Sequence, residues 1–130
     1  MAKLRRRTND SGAAAVELAL ILPIFVMLAF GIIAFGLGYN QQLVVTRAAR
    51  EAARTMAVTD SVASARAAAF NAADSLDPGS LSISLTSCGP TPDLDDVATA
   101  DISYPYAYEI PFVGSYNVTL QGRATMHCGG

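Results

Sequence analysis

Hydrophobic and polar positions follow distinct rhythms along this chain. From Leu18 to Gly38 the sequence is almost wholly apolar and carries no charged residue. At about 1.5 Å per helical residue the run reaches about 30 Å, the hydrocarbon thickness of a bilayer. Lipid offers bare amides no partner, so the run predicts a membrane-spanning helix. Pro23 removes one helical hydrogen bond and predicts a kink in that helix. Gly31, Gly36 and Gly38 are tolerated where lipid or a neighbouring helix shields the backbone. Leu43 to Val58 is rich in Ala and straight-chain residues and free of Gly and Pro, which predicts that the helix continues as a stalk. On that stalk Ala48, Ala49, Ala52, Ala53 and Met56 form a narrow apolar stripe. Arg47, Arg50 and Arg54 share another face, with Glu51 in reach of Arg47. This basic face reads either as solvated or as a contact for anionic headgroups or an adjacent subunit.

Thr59-Asp60-Ser61 marks a break and an N-cap, predicting a second helix that runs to about Ser75 and is ended by Asp77-Pro78-Gly79-Ser80. The period then shifts to two. Leu81, Ile83 and Leu85 alternate with Ser82, Ser84 and Thr86. Tyr116, Val118, Leu120, Gly122, Ala124 and Met126 alternate with polar neighbours. Both segments predict half-buried strands. A weaker strand fits Val97 to Tyr104, with Ala98, Ala100, Ile102 and Tyr104 inward, and Pro105 is expected to stop it. A small sheet with one apolar face needs a cover, supplied by the second helix or the stalk. The expected fold class is α+β: a long N-terminal transmembrane α-helix continuing into a stalk, a second short helix, and a small antiparallel sheet of about three strands.

Composition sharpens this picture. The chain is 52% hydrophobic and 15% charged, against about 25% charged in an average soluble domain. The 9 basic and 11 acidic residues nearly cancel, which argues against a broad nucleic-acid-binding face. Their distribution is uneven: Lys3, Arg5, Arg6 and Arg7 crowd the head of the chain, whereas beyond the apolar run acidic residues predominate. The positive-inside rule therefore places the N-terminus in the cytoplasm and the acidic bulk outside. A secretory signal peptide shares the basic head, but its apolar core is only about 7–15 residues long.

Cys88 and Cys128 both fall in the extracytoplasmic part, where an even count favours a disulfide. The outer strands of a simple meander lie about 10 Å apart, too far to bridge. The Cys88–Cys128 bridge thus requires those strand ends to be adjacent or to bend together. His127 beside Cys128 lacks zinc-ligand spacing, and Asp93, Asp95 and Asp96 lack the Gly and terminal Glu of an EF-hand; no metal or cofactor is expected. Tyr104, Tyr106, Tyr108 and Phe112 read either as an exposed adhesive or subunit-binding surface or as packing over the sheet. With one histidine and no nucleophile or phosphate-loop motif, catalysis is not expected.

One carboxylate stands at the threshold of the apolar run. Glu17 would be costly inside the bilayer without a cation. The string Arg5-Arg6-Arg7, Ser11-Gly12-Ala13-Ala14-Ala15-Val16-Glu17-Leu18-Ala19-Leu20 and Pro23 resembles the class III signal of type IV pilin-like proteins. With Gly31, Phe35-Gly36 and Thr46-Arg47-Ala48-Ala49-Arg50-Glu51-Ala52-Ala53-Arg54, the chain looks most like the TadE-like pseudopilins, minor pilins of tight-adherence (Flp-type) pili. Leu18 stands where family members usually carry Phe or Tyr, and it keeps the position hydrophobic.

The resemblance implies that a prepilin peptidase cuts between Gly12 and Ala13 on the cytoplasmic side. It also implies that Glu17 neutralises the new α-amine of a neighbouring subunit during assembly. Residues 1–12 would then be a basic cytoplasmic leader, 13–58 the transmembrane helix and stalk, and 59–130 a small α+β head. Implied partners are other pilins and pseudopilins, the Tad assembly machinery, the peptidase and the membrane, crossed once with the N-terminus inside. The implied location is the bacterial inner membrane or a cell-surface pilus used for adhesion. The alternative is an uncleaved single-pass anchor whose head binds an envelope ligand or partner protein.

Overall fold

The computed structural model describes residues 10–90, 95–111 and 113–128. One continuous helix, α1 (Asp10–Thr59), runs through Pro23 and joins the apolar run to the stalk. It ends where expected. The Asp60 N–H donates to the Met56 carbonyl at 2.9 Å, and Asp60 takes a left-handed φ of 44° that ends the helix. The Ser61 side chain then accepts from the Ser64 N–H at 3.3 Å, capping α2 (Val62–Ala72).

Helix α2 stops short of Ser75, the end expected from sequence. Asp74 and Ser75 favour turns over helix, and the turn lets Leu76 enter the core at 4% exposure. A 3-10 turn, Pro78–Ser80, follows. Asp77 caps it by accepting from the Gly79 N–H and the Ser80 hydroxyl.

Strands β1 (Ser82–Thr86), β2 (Val97–Ile110) and β3 (Gly114–His127) form an antiparallel sheet in the order β1-β2-β3. The inward positions of β2 are those expected, with Ala98 and Ala100 at 0% and Ile102 at 2% exposure. Pro105 does not stop the strand. β1 pairs with β2 only as far as Ser103, so at Pro105 β2 has a free edge, and Pro105 sits opposite Thr119 of β3. The β2–β3 hairpin therefore extends to Ile110 and Gly114 with no β1 beside its far half.

The stalk, more than α2, covers the sheet. Val45, Ala48, Ala49, Ala52, Ala53 and Met56 are fully buried at helical spacings of three and four, so one stripe of α1 meets β2 and β3. Arg47, Arg50, Glu51 and Arg54 lie on the exposed side. α2 packs on α1 through Ala65 and Ala69. The main core joins the α1 stripe to Ala69, Ala73, Leu76, Ala100, Ile102 and Leu120. A second cluster joins Met56, Ala65, Ala98 and Cys88.

Candidate functional site

The residues singled out in sequence divide between the two ends of α1. Gly12, Ala13 and Glu17 lie in its first turns and are exposed. At about 1.5 Å per residue, Glu17 is nearly 60 Å along the axis from Met56 and the cysteines packed near it. Between these ends runs the apolar stretch. Leu18 is 62%, Phe25 64% and Phe35 70% exposed, so the described elements leave most of the surface of these side chains uncovered. A helix that is apolar all round and uncovered by its own fold belongs in lipid or against other helices. α1 is long and apolar enough to cross a membrane.

At the other end the structure brings Cys88 and Cys128 together in a disulfide, with Cα atoms 5.8 Å apart. β1 and β3 are not neighbours, so the ends must bend. After Thr86 the chain leaves β1 and passes the start of β2, where Cys88 packs beside Met56, Ala65 and Ala98. The Cys88 N–H donates to Asp60 Oδ1 at 3.0 Å, which ties this segment to the α1–α2 break. From the β3 side, the Cys128 N–H donates to the Asp96 carbonyl at 2.9 Å. Asp60 was legible in sequence as a helix breaker, but its service to Cys88 spans 28 residues and left no local signal.

Further contacts carried only a faint signal. Gly122 lies where β3 meets the α1 backbone, and a Cβ added there would fall 2.7 Å from the Val45 carbonyl oxygen. Beside it, Gln42 Nε2 donates to the Gln121 carbonyl at 2.7 Å. Farther down, the Tyr108 ring fills the space a side chain at Gly38 would need. Tyr106 meets Tyr108 edge to face, with centroids 4.8 Å apart, while Tyr104 and Tyr106 pack against the main core. These tyrosines are packing residues, and their unbroken two-residue alternation through Pro105 was the signal for a longer strand. Phe112 lies outside the described residues.

The hairpin thus reaches down α1, with β2 running antiparallel to the helix. An open apolar groove of about 400 Å³ lies between Gly31, Ala34 and Phe35 of α1 and the far half of the hairpin. On the opposite face of the sheet, an open polar depression of about 640 Å³ is lined by Ser82, Ser84, Asp101, Ser103 and Arg123. There Asp101 accepts from Arg123 Nε. That hydrogen bond, and then the charge attraction, raise the Arg123 pKa above its usual value. Among the described residues, no group of three or more His, Cys, Asp or Glu side chains is placed to hold a metal ion. Asp93 lies outside the described residues.

The family model for TadE-like proteins matches residues 12–54. No curated protein and no solved structure matches the chain. The match begins at the glycine of the Gly12/Glu17 pair and ends at Arg54, so it covers the apolar helix and most of the buried alanine stripe. The likeness to TadE-like proteins thus falls on residues 12–54, all of them within α1.

Proposed function

We propose that the chain is a TadE-like minor pilin. It inserts with its N-terminus in the cytoplasm, is cut between Gly12 and Ala13, and enters a tight-adherence pilus or its initiating complex through α1. The observation that carries this reading is the exposed apolar helix with Gly12 and Glu17 at its threshold. The described fold leaves most of its apolar side chains from Leu18 to Leu37 exposed, and it carries one carboxylate close to where a new amine would arise. Cleavage would leave an α-amine on Ala13, and in an apolar bundle a neighbouring subunit's Glu17 neutralises it. Such a pair sets register more than it adds stability, because desolvation offsets much of its attraction. The head, tied by the Cys88–Cys128 bridge, stays outside.

Mass spectrometry of the protein extracted from membranes that contain the cognate peptidase tests the processing. A mature chain beginning at Ala13 is expected; a chain retaining its basic leader overturns cleavage. Glu17→Ala separates pilin from plain anchor. Cleavage persists while co-purification with other pilins is lost, whereas an anchor that never assembles is indifferent to the substitution.

A further inference from the structure

The β2–β3 hairpin does not sit on top of the helix. Its register places Ala100 of β2 opposite Ala124 and, far below, Tyr108 opposite Tyr116 and Ile110 opposite Gly114. Tyr108 packs on Gly38, the last residue of the apolar run, and the groove beyond it reaches Gly31. From Gly38 to Gly31 is about 10 Å along a helix axis. If Glu17 marks the inner boundary, about 20 helical residues of hydrocarbon end near Leu37. The far half of the hairpin then lies within about 10 Å of the outer boundary, the depth at which interfacial elements bury an apolar face.

The side chains there suit that depth. Tyr108, Ile110, Tyr116 and Val118 line the hairpin's side of the groove, and Tyr116 and Val118 remain 55% and 40% exposed although they face the helix. Their neighbours Glu109, Ser115, Asn117 and Thr119 alternate onto the opposite face. Tyrosine rings favour the headgroup level, where one end is apolar and the other wet.

We propose that this groove holds an acyl chain of a phospholipid from the extracytoplasmic leaflet, so that the hairpin tip is a second membrane contact beside the span. The inference rests on the reading that α1 crosses the bilayer. The groove's place favours lipid: it opens beside the exposed apolar side chains of the span, which acyl chains surround in a bilayer.

The protein contains no tryptophan, so a single introduced Trp is a lone reporter. The full chain carrying Tyr116→Trp, Val118→Trp, Phe25→Trp or Val58→Trp is placed in phosphatidylethanolamine/phosphatidylglycerol vesicles, at a protein-to-lipid ratio that keeps copies apart. Some of the lipids are brominated at shallow or deep acyl positions. Phe25→Trp should be quenched best by deep bromine and Val58→Trp hardly at all. Tyr116→Trp and Val118→Trp should be quenched several-fold more than Val58→Trp, and best by shallow bromine. If both hairpin reporters match Val58→Trp while Phe25→Trp is quenched, the proposal falls and the span stands. If Phe25→Trp is itself unquenched, the spanning reading fails and the proposal with it. Hairpin quenching best by deep bromine likewise overturns the interfacial placement.

Discussion

At Asp60 the backbone enters the left-handed region, a conformation that costs most L-residues about 1–2 kcal/mol and that Asp and Asn tolerate best. Its carboxylate also accepts the Cys88 N–H at 3.0 Å. One side chain therefore ends α1 and holds the segment that carries the disulfide. Asp60→Ala removes the acceptor and the left-handed tolerance together, and it should lower stability by about 1–3 kcal/mol, mostly through the N–H left unpaired. Asp60→Asn keeps an oxygen in place and should stay close to wild type. Urea unfolding of the detergent-solubilised protein, followed by circular dichroism, separates the two. Equal losses would mean that charge, not geometry, matters at this site. Ser61 does simpler work beside it as the cap of α2, and its role was readable from its place before an apolar helical run.

Among elements, the closest approach is that of β3 to α1. The alanine stripe of α1 keeps the helix surface low, and Gly122 lets the strand backbone come up to Val45 and Thr46. Both contacts there are with backbone atoms, which cannot swing aside, so Gly122→Ala should push β3 away and cost about 1–3 kcal/mol. Gly36→Ala, where nothing lies within 4 Å of the new Cβ, serves as the matched control and should leave the head's urea midpoint unchanged. A Gly122→Ala variant as stable as wild type would show that the helix and sheet slide freely. The elements themselves were largely legible. Helical spacing announced the stripe Ala48 to Met56, two-residue alternation announced Ala98 to Ile102, and Thr59-Asp60-Ser61 announced the break. Pro105 misled, because a single proline signals a strand's end unless the sheet edge is known, and the edge depends on where β1 runs out. The close approach at Gly122 was hidden for the same reason: a glycine in an alternating strand does not say what faces it.

For the whole molecule, the ends of α1 answer to different physics. The N-terminal motif was readable because its spacing is local, Gly12 to Glu17 followed by the uncharged run. The groove beside Gly31 to Phe35 was not, because residues some eighty positions apart meet only once the hairpin folds back along the helix. The head itself is built on small side chains. Its fully buried stripe is mostly alanine, and among the described residues the largest fully buried side chains are Met56, Ile102 and Val45. At about 0.8 kcal/mol per buried methylene, an alanine-rich core yields little from each residue, so the covalent tie between Cys88 and Cys128, separated by 40 residues, carries unusual weight. Replacing both with Ser should cost about 2–4 kcal/mol and lower the head's Tm by at least about 10 °C. Residues 13–37 take no part in that core, so in lipid they should stay helical after the head has melted. The expected trace is therefore a partial loss of helical circular dichroism, earlier in the Cys88→Ser/Cys128→Ser protein, followed by a plateau that persists. Hydrogen exchange should place the plateau in the span. An unchanged Tm would show that alanine packing alone sustains the head, and loss of the whole helix in one step would show that span and head fold as one unit.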